Sequence, residues 1–175
     1  TSLVQNLYSL AYHDSLTHLP NRVLLEATLR MRFSEFHRLR QPFAVLFADI
    51  DYFHKFNEQY GHTTGDTMLK MVAGNMQQSS RKSDTIGRWG GEEFLGVFPI
   101  KNKKDTEVIA RRLQKTINQT FIPYGDEKLH VTMSIGITAV QEEDTMASII
   151  SRADQYMYRA KNMGRNTIIT DYSEK

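Results

Sequence analysis

Two acidic residues, Asp49 and Asp51, lie at alternate positions where an apolar run, Phe43–Ile50, ends. If the chain stays extended there, both carboxylates point to the same face. Burying them beside an apolar strand is costly unless a cation neutralises them. Oxygen ligands of this kind suit Mg²⁺, which commonly uses one or two carboxylates together with substrate phosphates. The alternative is that both acids cap the strand end and face water.

A glycine pair followed by an acid pair, GGEE at 90–93, separates two short runs, 84–89 and 94–98, that are predicted as the strands of a hairpin. Glycine tolerates the backbone of a tight turn and lets a ligand approach without meeting a Cβ. If this hairpin pairs beside the central strand, Glu92 lies close to Asp49, and the converging carboxylates repel each other strongly without a metal. A plain hairpin facing solvent is the alternative.

Three polar side chains, Asn57, His62 and Asp66, follow the central run. An amide together with a carboxylate can bind the edge of a base, and guanine offers N1–H and N2–H donors that a carboxylate accepts. Such a match discriminates well because the wrong base leaves buried polar groups unpaired. The alternatives are an Asx turn at Asn57, a helix N-cap at Asp66 and a structural turn histidine at His62.

Charged residues also recur at short spacing in two other places. Lys161 and Arg165 are four residues apart near a predicted helix end, so they share a face and could bind a polyphosphate tail. Alternatively, they only complement the helix dipole. Arg81 and Asp84 are three residues apart and could together bind a guanine-containing ligand. A solvated surface pair, which contributes little to stability, is the alternative there.

The elements that must position these residues alternate between helix and strand. Periodicity predicts helices over 3–11, from Pro20 through Phe33, from Gly65 through Met76, over 106–117 and from Asp144 or Thr145 through Ala160, and strands over 43–50, 129–140 and 166–169 besides the hairpin. Because a hairpin interrupts the alternation, the pattern favours an α/β (α+β) fold. We expect a central mixed, mainly antiparallel sheet with helices packed on its faces.

Composition limits the possible functions. The chain has 175 residues, which favours one domain, and no cysteine, which excludes disulfide scaffolds, thiolate zinc sites, iron–sulfur clusters and cysteine nucleophiles. With 22 Lys and Arg against 20 Asp and Glu, the net charge of +2 does not by itself predict binding to nucleic acid or membranes. No apolar stretch approaches the roughly 20 residues of a membrane span. Because the chain begins with Thr1, we expect a module of a longer protein, with 1–13 as the end of an upstream linker helix and 14–175 as the domain itself.

Taken together, these stretches resemble the GGDEF family, the diguanylate cyclases, from about Asp14 to Asn166. The segments that carry the resemblance are DSLTHLPNR at 14–22, FADIDYF at 47–53, GGEEF at 90–94, which is an accepted variant of the signature, and YRAK and GRN within 158–166. Their joint order and spacing is a strong signal. The resemblance implies a sheet similar to the palm of nucleotide cyclases and polymerases. It also implies that two GTP condense to cyclic di-GMP with loss of two pyrophosphates, at the interface of two domains.

The resemblance assigns roles to individual residues. Mg²⁺, or Mn²⁺ in its place, would be bound by Asp49, the backbone carbonyl of Ile50 and Glu92. Glu92 would also deprotonate the attacking hydroxyl, and Glu93 would assist the metal site. At the guanine, the implied binding residues are Asn57 and Asp66, with His62 in the same pocket. At the phosphates, they are the backbone near Tyr52 and Phe53 together with the side chains of Lys161 and Arg165.

A separate regulatory site is implied by Arg81 and Asp84, which match the family's inhibitory motif. Cyclic di-GMP bound there would hold two domains apart or misaligned, so the product would inhibit its own synthesis. A second arginine often completes that site. The sequence leaves Arg111 and Arg112 open as candidates for it.

One departure from the family is His54, which stands where a lysine is usual, and Lys55 is expected to point elsewhere on a strand. The implied partners are GTP, cyclic di-GMP, a second copy of the domain and an upstream sensory module, with no nucleic acid and no direct membrane contact. GTP as substrate implies a cytoplasmic domain, whether or not the parent protein is anchored in a membrane. Two alternatives remain: a catalytically weak member that senses GTP or cyclic di-GMP, and a looser cyclase that accepts ATP.

Overall fold

The computed structural model describes residues 2–173 of the chain. Its helices are α1 (Leu3–Tyr12), α2 (Arg22–Leu39), α3 (Phe53–Tyr60), α4 (His62–Gln78), α5 (Asp105–Gln119) and α6 (Met146–Asn162). Its strands are β1 (Phe43–Ile50), β2 (Thr85–Gly90), β3 (Glu93–Pro99), β4 (Ile122–Tyr124), β5 (Glu127–Leu129), β6 (Met133–Ala139) and β7 (Ile168–Ile169).

A five-stranded sheet in the order β2-β3-β1-β6-β7 forms the centre of the fold. Strand β1 pairs antiparallel with β3 on one side and with β6 on the other, and only the β6–β7 pair is parallel. All eight residues of β1 are buried, as expected for a strand covered on both faces. The predicted mixed, mainly antiparallel sheet flanked by helices is therefore confirmed.

The alternation of side chains along β1 divides the core into two clusters. Even-numbered side chains such as Leu46 pack with apolar residues of α4 and α5. Odd-numbered side chains such as Phe47 pack with apolar residues of α2 and α6. Because successive side chains of a strand point to opposite faces, Asp49 at the end of β1 belongs to the α6 face. The alternation of side chains along β1 therefore places Asp49 on the side of the sheet that packs against α6.

Two predicted elements differ from the observed ones. The strand predicted over 129–140 is interrupted, because β5 turns away to pair with β4 and residues 130–132 leave the sheet before β6 begins. The helix predicted to open at Gly65 begins at His62, after Gly61 takes a positive φ of 89°. Asp66 is therefore the fifth residue of α4 and not its N-cap, so that interpretation was wrong.

Helix α3 was not predicted at all, and its start explains why. Tyr52 has a left-handed φ of 55° and turns the chain directly from β1 into an eight-residue helix. Asn57 lies within this helix, so an Asx turn at that position was wrong. By contrast, the start of α6 agrees with one of the two predicted N-caps. Thr145 is the N-cap, and its side chain accepts a hydrogen bond from the Ser148 N–H.

The N-terminal helix α1 has no buried side chain between residues 3 and 12, and several of its apolar side chains are exposed. It joins the domain through backbone hydrogen bonds, including one from the Asn21 N–H to the Tyr12 carbonyl (2.9 Å). Between residues 2 and 173, no helix is long and apolar enough to cross a membrane. The boundary expected at 13/14 stays a prediction, and residues 1, 174 and 175 lie outside the described part of the chain.

Candidate active site

Three charged side chains meet where β1 and β3 lie side by side. Asp49 is paired directly across the sheet with Glu93, and its Oδ1 lies 3.2 Å from the Nζ of Lys161 on α6. Asp49 is only 6 % exposed. The backbone carbonyl of Glu92 accepts a hydrogen bond from the Ile50 N–H (3.2 Å), which ties the glycine turn to the end of β1. The structure therefore brings the turn acids beside the strand acid, and a hairpin that simply faces solvent is excluded.

The charges of this cluster do not balance. Burial raises the pKa of Asp49 to about 6, against the attraction of Lys161, and the neighbouring Glu92 and Glu93 raise it further. Burial also raises the pKa of Glu93, and the repulsion of Asp154 and Glu92 adds to the effect. One lysine thus faces several carboxylates, and a cation bound among them would relieve the repulsion.

The oxygen ligands at this site suit a hard divalent cation. Asp49 and Glu92 offer carboxylates and Ile50 a backbone carbonyl, which is the kind of partial set that Mg²⁺ takes when phosphates and water complete its shell. In the described part of the chain, no three His, Asp or Glu side chains are grouped closely enough to hold a metal by themselves. The donors fit an ion that arrives with a phosphorylated substrate, since they leave coordination positions to be filled by phosphate oxygens.

The Asp51 carboxylate is held by hydrogen bonds from within the protein. It accepts hydrogen bonds from the Thr132 Oγ1 (2.6 Å), the Ser134 Oγ (2.6 Å) and the Asn166 N–H (2.9 Å). Ser134 pairs directly with Asp49 across the sheet, so the hydrogen bond from its hydroxyl places the Asp51 carboxylate on the same face as Asp49. The alternative that both acids face water was wrong, because Asp49 is 6 % and Asp51 5 % exposed.

The residues expected at the base lie on α3 and α4. The Oδ1 of Asn57 is buried and has no hydrogen-bond partner among the described residues. It occupies the space where any Cβ at Gly65 would be, so the absence of a side chain there makes room for the amide. His62 and Asp66 are exposed and lie one helical turn apart on α4. An unpaired buried acceptor such as Asn57 is a group that a ligand N–H would satisfy.

The residues expected at the phosphates surround the start of α3. No described side chain caps the first turn of this helix, which leaves its backbone N–H groups available to an anion. The Tyr52 ring lies 4.5 Å from the guanidinium carbon of Arg165 and 5.0 Å from the Nζ of Lys55. Phe53 is buried and stacks on Phe56 with 6.1 Å between ring centroids, which anchors the turn.

The departure at His54 has a structural counterpart. Its imidazole is largely exposed and pairs with Glu58 one helical turn away (3.0 Å), on the solvent side of α3. Lys55 was expected to point elsewhere on a strand. That prediction was wrong, because both residues lie in the first turn of a helix and the Lys55 ammonium lies over Tyr52.

Two charged residues at the site were given no role by sequence reasoning. Asp154 lies seven residues before Lys161 on α6, a spacing of two helical turns that places both on one face. Arg88 donates from its Nε to the Gly91 carbonyl (2.9 Å) and from its Nη1 to the Asp14 carboxylate (3.2 Å). Partial burial opposes ionisation of Asp14, but hydrogen bonds from Thr17 and the charge of Arg88 hold its pKa below the usual value.

A second polar site lies at the other end of β3. Arg81, Asp84 and Arg112 line a cavity of about 480 Å³ together with residues around Pro99. The Nη2 of Arg112 lies 3.7 Å from Asp84, and both its Nε and its Nη2 are buried without a hydrogen-bond partner in the described chain. Arg111 is exposed and pairs with Glu107 (2.6 Å). Of the two arginines that the sequence left open, Arg112 is the one that lines this cavity.

The comparisons with known proteins agree with the fold and the site. The sequence matches the family described as diguanylate cyclase, GGDEF domain, over residues 11–167. The chain belongs to this family, as its motifs predicted. Diguanylate cyclase DgcP of Pseudomonas aeruginosa is 35 % identical over 158 residues, which cover 90 % of this chain and 24 % of DgcP. This chain therefore spans about a quarter of the length of that relative.

Two solved structures have a backbone fold similar to that of this chain. The diguanylate cyclase SiaD of Pseudomonas aeruginosa, crystallised with its activator SiaC, has a TM-score of 0.89 at 33 % identity, covering 96 % of this chain and 65 % of that one. The GGDEF domain of DgcB from Caulobacter crescentus, in complex with c-di-GMP, has a TM-score of 0.87 at 26 % identity. That alignment covers 93 % of this chain and 97 % of the DgcB domain.

Proposed function

We propose that this domain condenses two molecules of GTP into cyclic di-GMP and releases two pyrophosphates. In each of two equivalent steps, the 3′-hydroxyl of one GTP attacks the α-phosphate of the other. The new O–P bond replaces the bond to pyrophosphate, and the hydroxyl proton passes to a base. The observation that carries the proposal is the meeting of Asp49, Glu93 and Lys161 beside the glycine turn, in a chain of the diguanylate cyclase family.

The chemistry asks the protein mainly to position groups and neutralise charge, as phosphoryl transfer generally does. A divalent cation, Mg²⁺ or Mn²⁺, bound by Asp49, Glu92 and the Ile50 carbonyl would neutralise charge on the phosphates. Glu92 accepts the proton of the attacking hydroxyl. Glu93 assists the metal site from the position across the sheet from Asp49.

The phosphates and the base bind to separate elements in this proposal. The first-turn amides of α3 at Tyr52 and Phe53, with Lys161 and Arg165, hold the polyphosphate tail. The Asn57 amide, which has an unpaired buried oxygen, and Asp66 accept hydrogen bonds from the N1–H and N2–H of guanine, with His62 beside them. Adenine lacks this donor pair, so the proposal includes a preference for GTP over ATP.

The reaction needs two domains because each site holds one GTP and two must face each other. We therefore propose that two copies of the domain pair for catalysis and that the remainder of a longer parent protein brings them together. DgcP and SiaD are both longer than this chain, and SiaD is described with an activator. The parent's signal would act by changing how often two domains meet.

A product-binding role is proposed for the cavity at the far end of β3. Arg81, Asp84 and Arg112 line it, and the Nε and Nη2 of Arg112 have no hydrogen-bond partner in the described chain, although Nη2 lies 3.7 Å from Asp84. Cyclic di-GMP carries guanine O6 and N7 acceptors that an arginine binds with two hydrogen bonds. The same cavity would also serve the alternative function, a domain that binds cyclic di-GMP without making it, which the diguanylate cyclases among the relatives do not favour.

The test is to incubate the purified chain with Mg²⁺ and either GTP or ATP and to separate the products by chromatography. We expect cyclic di-GMP and pyrophosphate from GTP only. Cyclic di-GMP binding without any turnover, at protein concentrations high enough to pair domains, would establish the sensor function instead. Equal turnover of ATP would contradict the roles of Asn57 and Asp66.

A further inference from the structure

The loop after α6 has an unusual backbone. Three successive residues have positive φ values, Gly164 (107°), Arg165 (63°) and Asn166 (43°). Glycine accepts such angles freely, but the other two residues are disfavoured there and persist only where surrounding contacts enforce the conformation. This loop carries Arg165, the arginine proposed at the phosphates.

Asp51 provides one of the contacts that enforce this conformation, beside the hydrogen bonds from the Arg165 N–H to the Ala160 carbonyl (3.1 Å) and from the Gln114 amide to the Asn166 carbonyl (2.9 Å). The Oδ2 of Asp51 accepts the Asn166 N–H (2.9 Å) and the Thr132 hydroxyl (2.6 Å), while its Oδ1 accepts the Ser134 hydroxyl (2.6 Å). A carboxylate held from three directions in a buried position has little freedom to move. It therefore connects the end of β1, the start of β6 and the loop after α6.

Tyr52, which follows Asp51, contacts Arg165, which precedes Asn166 in the loop. The Tyr52 ring lies 4.5 Å from the guanidinium carbon of Arg165, which is the geometry of a cation–π contact. Asp51 and Tyr52 thus hold Asn166 and Arg165, respectively, one through the backbone and the other through the side chain. Free arginine side chains have many rotamers, and fixing one before a ligand arrives lowers the entropic cost of binding.

We propose that Asp51 and Tyr52 are positioning residues that hold Arg165 ready for the polyphosphate tail of the nucleotide. This proposal rests on the proposed function, because it takes Arg165 to be a phosphate-binding residue. In it, Asp51 acts through the Asn166 backbone and has no contact with the nucleotide or the metal. The effect is confined to ligands that carry the β- and γ-phosphates.

The test compares the affinity for 3′-deoxy-GTP, which lacks the attacking hydroxyl, with the affinity for GMP in the presence of Mg²⁺. We expect Arg165→Ala and Asp51→Asn each to weaken 3′-deoxy-GTP binding by about tenfold, the size expected for a lost charged contact. GMP binding should stay within about twofold, a change too small to represent a lost hydrogen bond. With GTP, KM should rise more than kcat falls.

The double variant Asp51→Asn/Arg165→Ala identifies the route of the effect. If Asp51 acts through Arg165, the double variant binds 3′-deoxy-GTP no more weakly than Arg165→Ala alone. Additive losses would overturn the positioning role and leave the proposed function standing. Unchanged 3′-deoxy-GTP binding in Arg165→Ala would instead contradict the proposed function at the phosphate site.

Asp171→Asn is the matched control for general structural damage. Asp171 accepts a hydrogen bond from the Thr138 hydroxyl (2.6 Å) and another from the Ala139 N–H (2.9 Å), at the opposite end of β6. We expect this variant to leave the ratio of the two affinities unchanged. Tyr52→Ala serves if Asp51→Asn does not fold, because the ring is 55 % exposed. It should lower 3′-deoxy-GTP affinity about threefold, and an unchanged affinity would overturn the proposal.

Discussion

The two ends of β3 carry polar sites of opposite character. At its first residue, Glu93 lies beside Asp49 in a cluster of carboxylates, where burial and mutual repulsion raise the pKa values of both groups. At its last residue, Pro99 borders a cavity where two nitrogens of Arg112 are buried without a hydrogen-bond partner, although one of them lies 3.7 Å from Asp84. A buried polar group without a hydrogen bond is costly, and under the proposed function a ligand would complete each end.

Under the proposed function, this difference would let one domain bind guanine in two ways. The acceptor at the catalytic end, the Asn57 oxygen, suits the N1–H and N2–H donors of the base. The donors at the other end, on Arg112, suit its O6 and N7 acceptors. Substrate and product would therefore be recognised through different edges of the same base, and the two sites should be separable by mutation.

The largest expected effect concerns the acidic end. Glu92→Gln removes the proposed base and one metal ligand while keeping the shape of the side chain. We expect cyclic di-GMP synthesis to fall by at least about 100-fold, the loss typical of removing a group that acts in the transition state. Circular dichroism should be unchanged. Glu143→Gln, an exposed acid outside the site, is the matched control and should retain full activity.

The next effect concerns the arginine end. Arg112→Ala should weaken inhibition by added cyclic di-GMP about tenfold, because it removes a guanidinium that lines the cavity. Initial rates without product should be unchanged. Arg111→Ala is the matched control, since that side chain pairs with Glu107 at the surface. Equal relief of inhibition in both variants would remove the distinction between the two arginines.

A smaller effect distinguishes two glycines of α4. A Cβ at Gly65 would collide with the Asn57 amide, whereas a Cβ at Gly74 meets no atom within 4 Å. Gly65→Ala should displace the amide and raise KM for GTP several-fold. Gly74→Ala should leave KM unchanged and stabilise the domain by about 0.5–1 kcal/mol in urea unfolding, because alanine favours a helix. A raised KM in Gly74→Ala would show that KM responds to the helix as a whole.

The smallest expected effect is on stability and depends on pH. Burial raises the pKa of Asp49 from 3.8 to about 6 in the folded metal-free domain. The folded state therefore binds this proton more tightly than the unfolded state, and stability falls as pH rises from about 4 through 6. Asp49→Asn should be more stable than the parent above that range, by about 1 kcal/mol after solvent screening. Urea unfolding at pH 4.5 and 7.5 measures the difference, which should shrink at the lower pH.

Much of the acidic end could be predicted from sequence because it depends on contiguous patterns. The apolar run of β1 and the paired glycines of the turn specify two neighbouring strands, and the acids follow directly. Asp51 could not be placed in this way. Its hydrogen-bond partners are the hydroxyls of Thr132 and Ser134 and the N–H of Asn166, which lie 81 to 115 residues further along the chain, where no local pattern indicates them.

At the arginine end, the sequence could have distinguished Arg112 from Arg111. In α5 the buried residues include Ile109 and Leu113, so Arg112 lies beside the apolar stripe and Arg111 lies away from it. Helical phase alone therefore favours Arg112. In contrast, the contact between Asn57 and Gly65 joins α3 to α4 and could not be predicted. No side-chain cap marks the start of α3, so the sequence did not indicate this helix.

The guanidinium of Arg88 has a mechanical consequence for the glycine turn. One planar group bonds both the Gly91 carbonyl and the Asp14 carboxylate, and the backbone N–H of the same residue bonds the Pro20 carbonyl (3.0 Å). The segment that leads out of α1 and the turn that carries Glu92 are thereby braced by a single side chain. Neither can shift relative to the other without breaking a charged hydrogen bond, so a displacement of the chain after α1 would pull on the turn that carries Glu92.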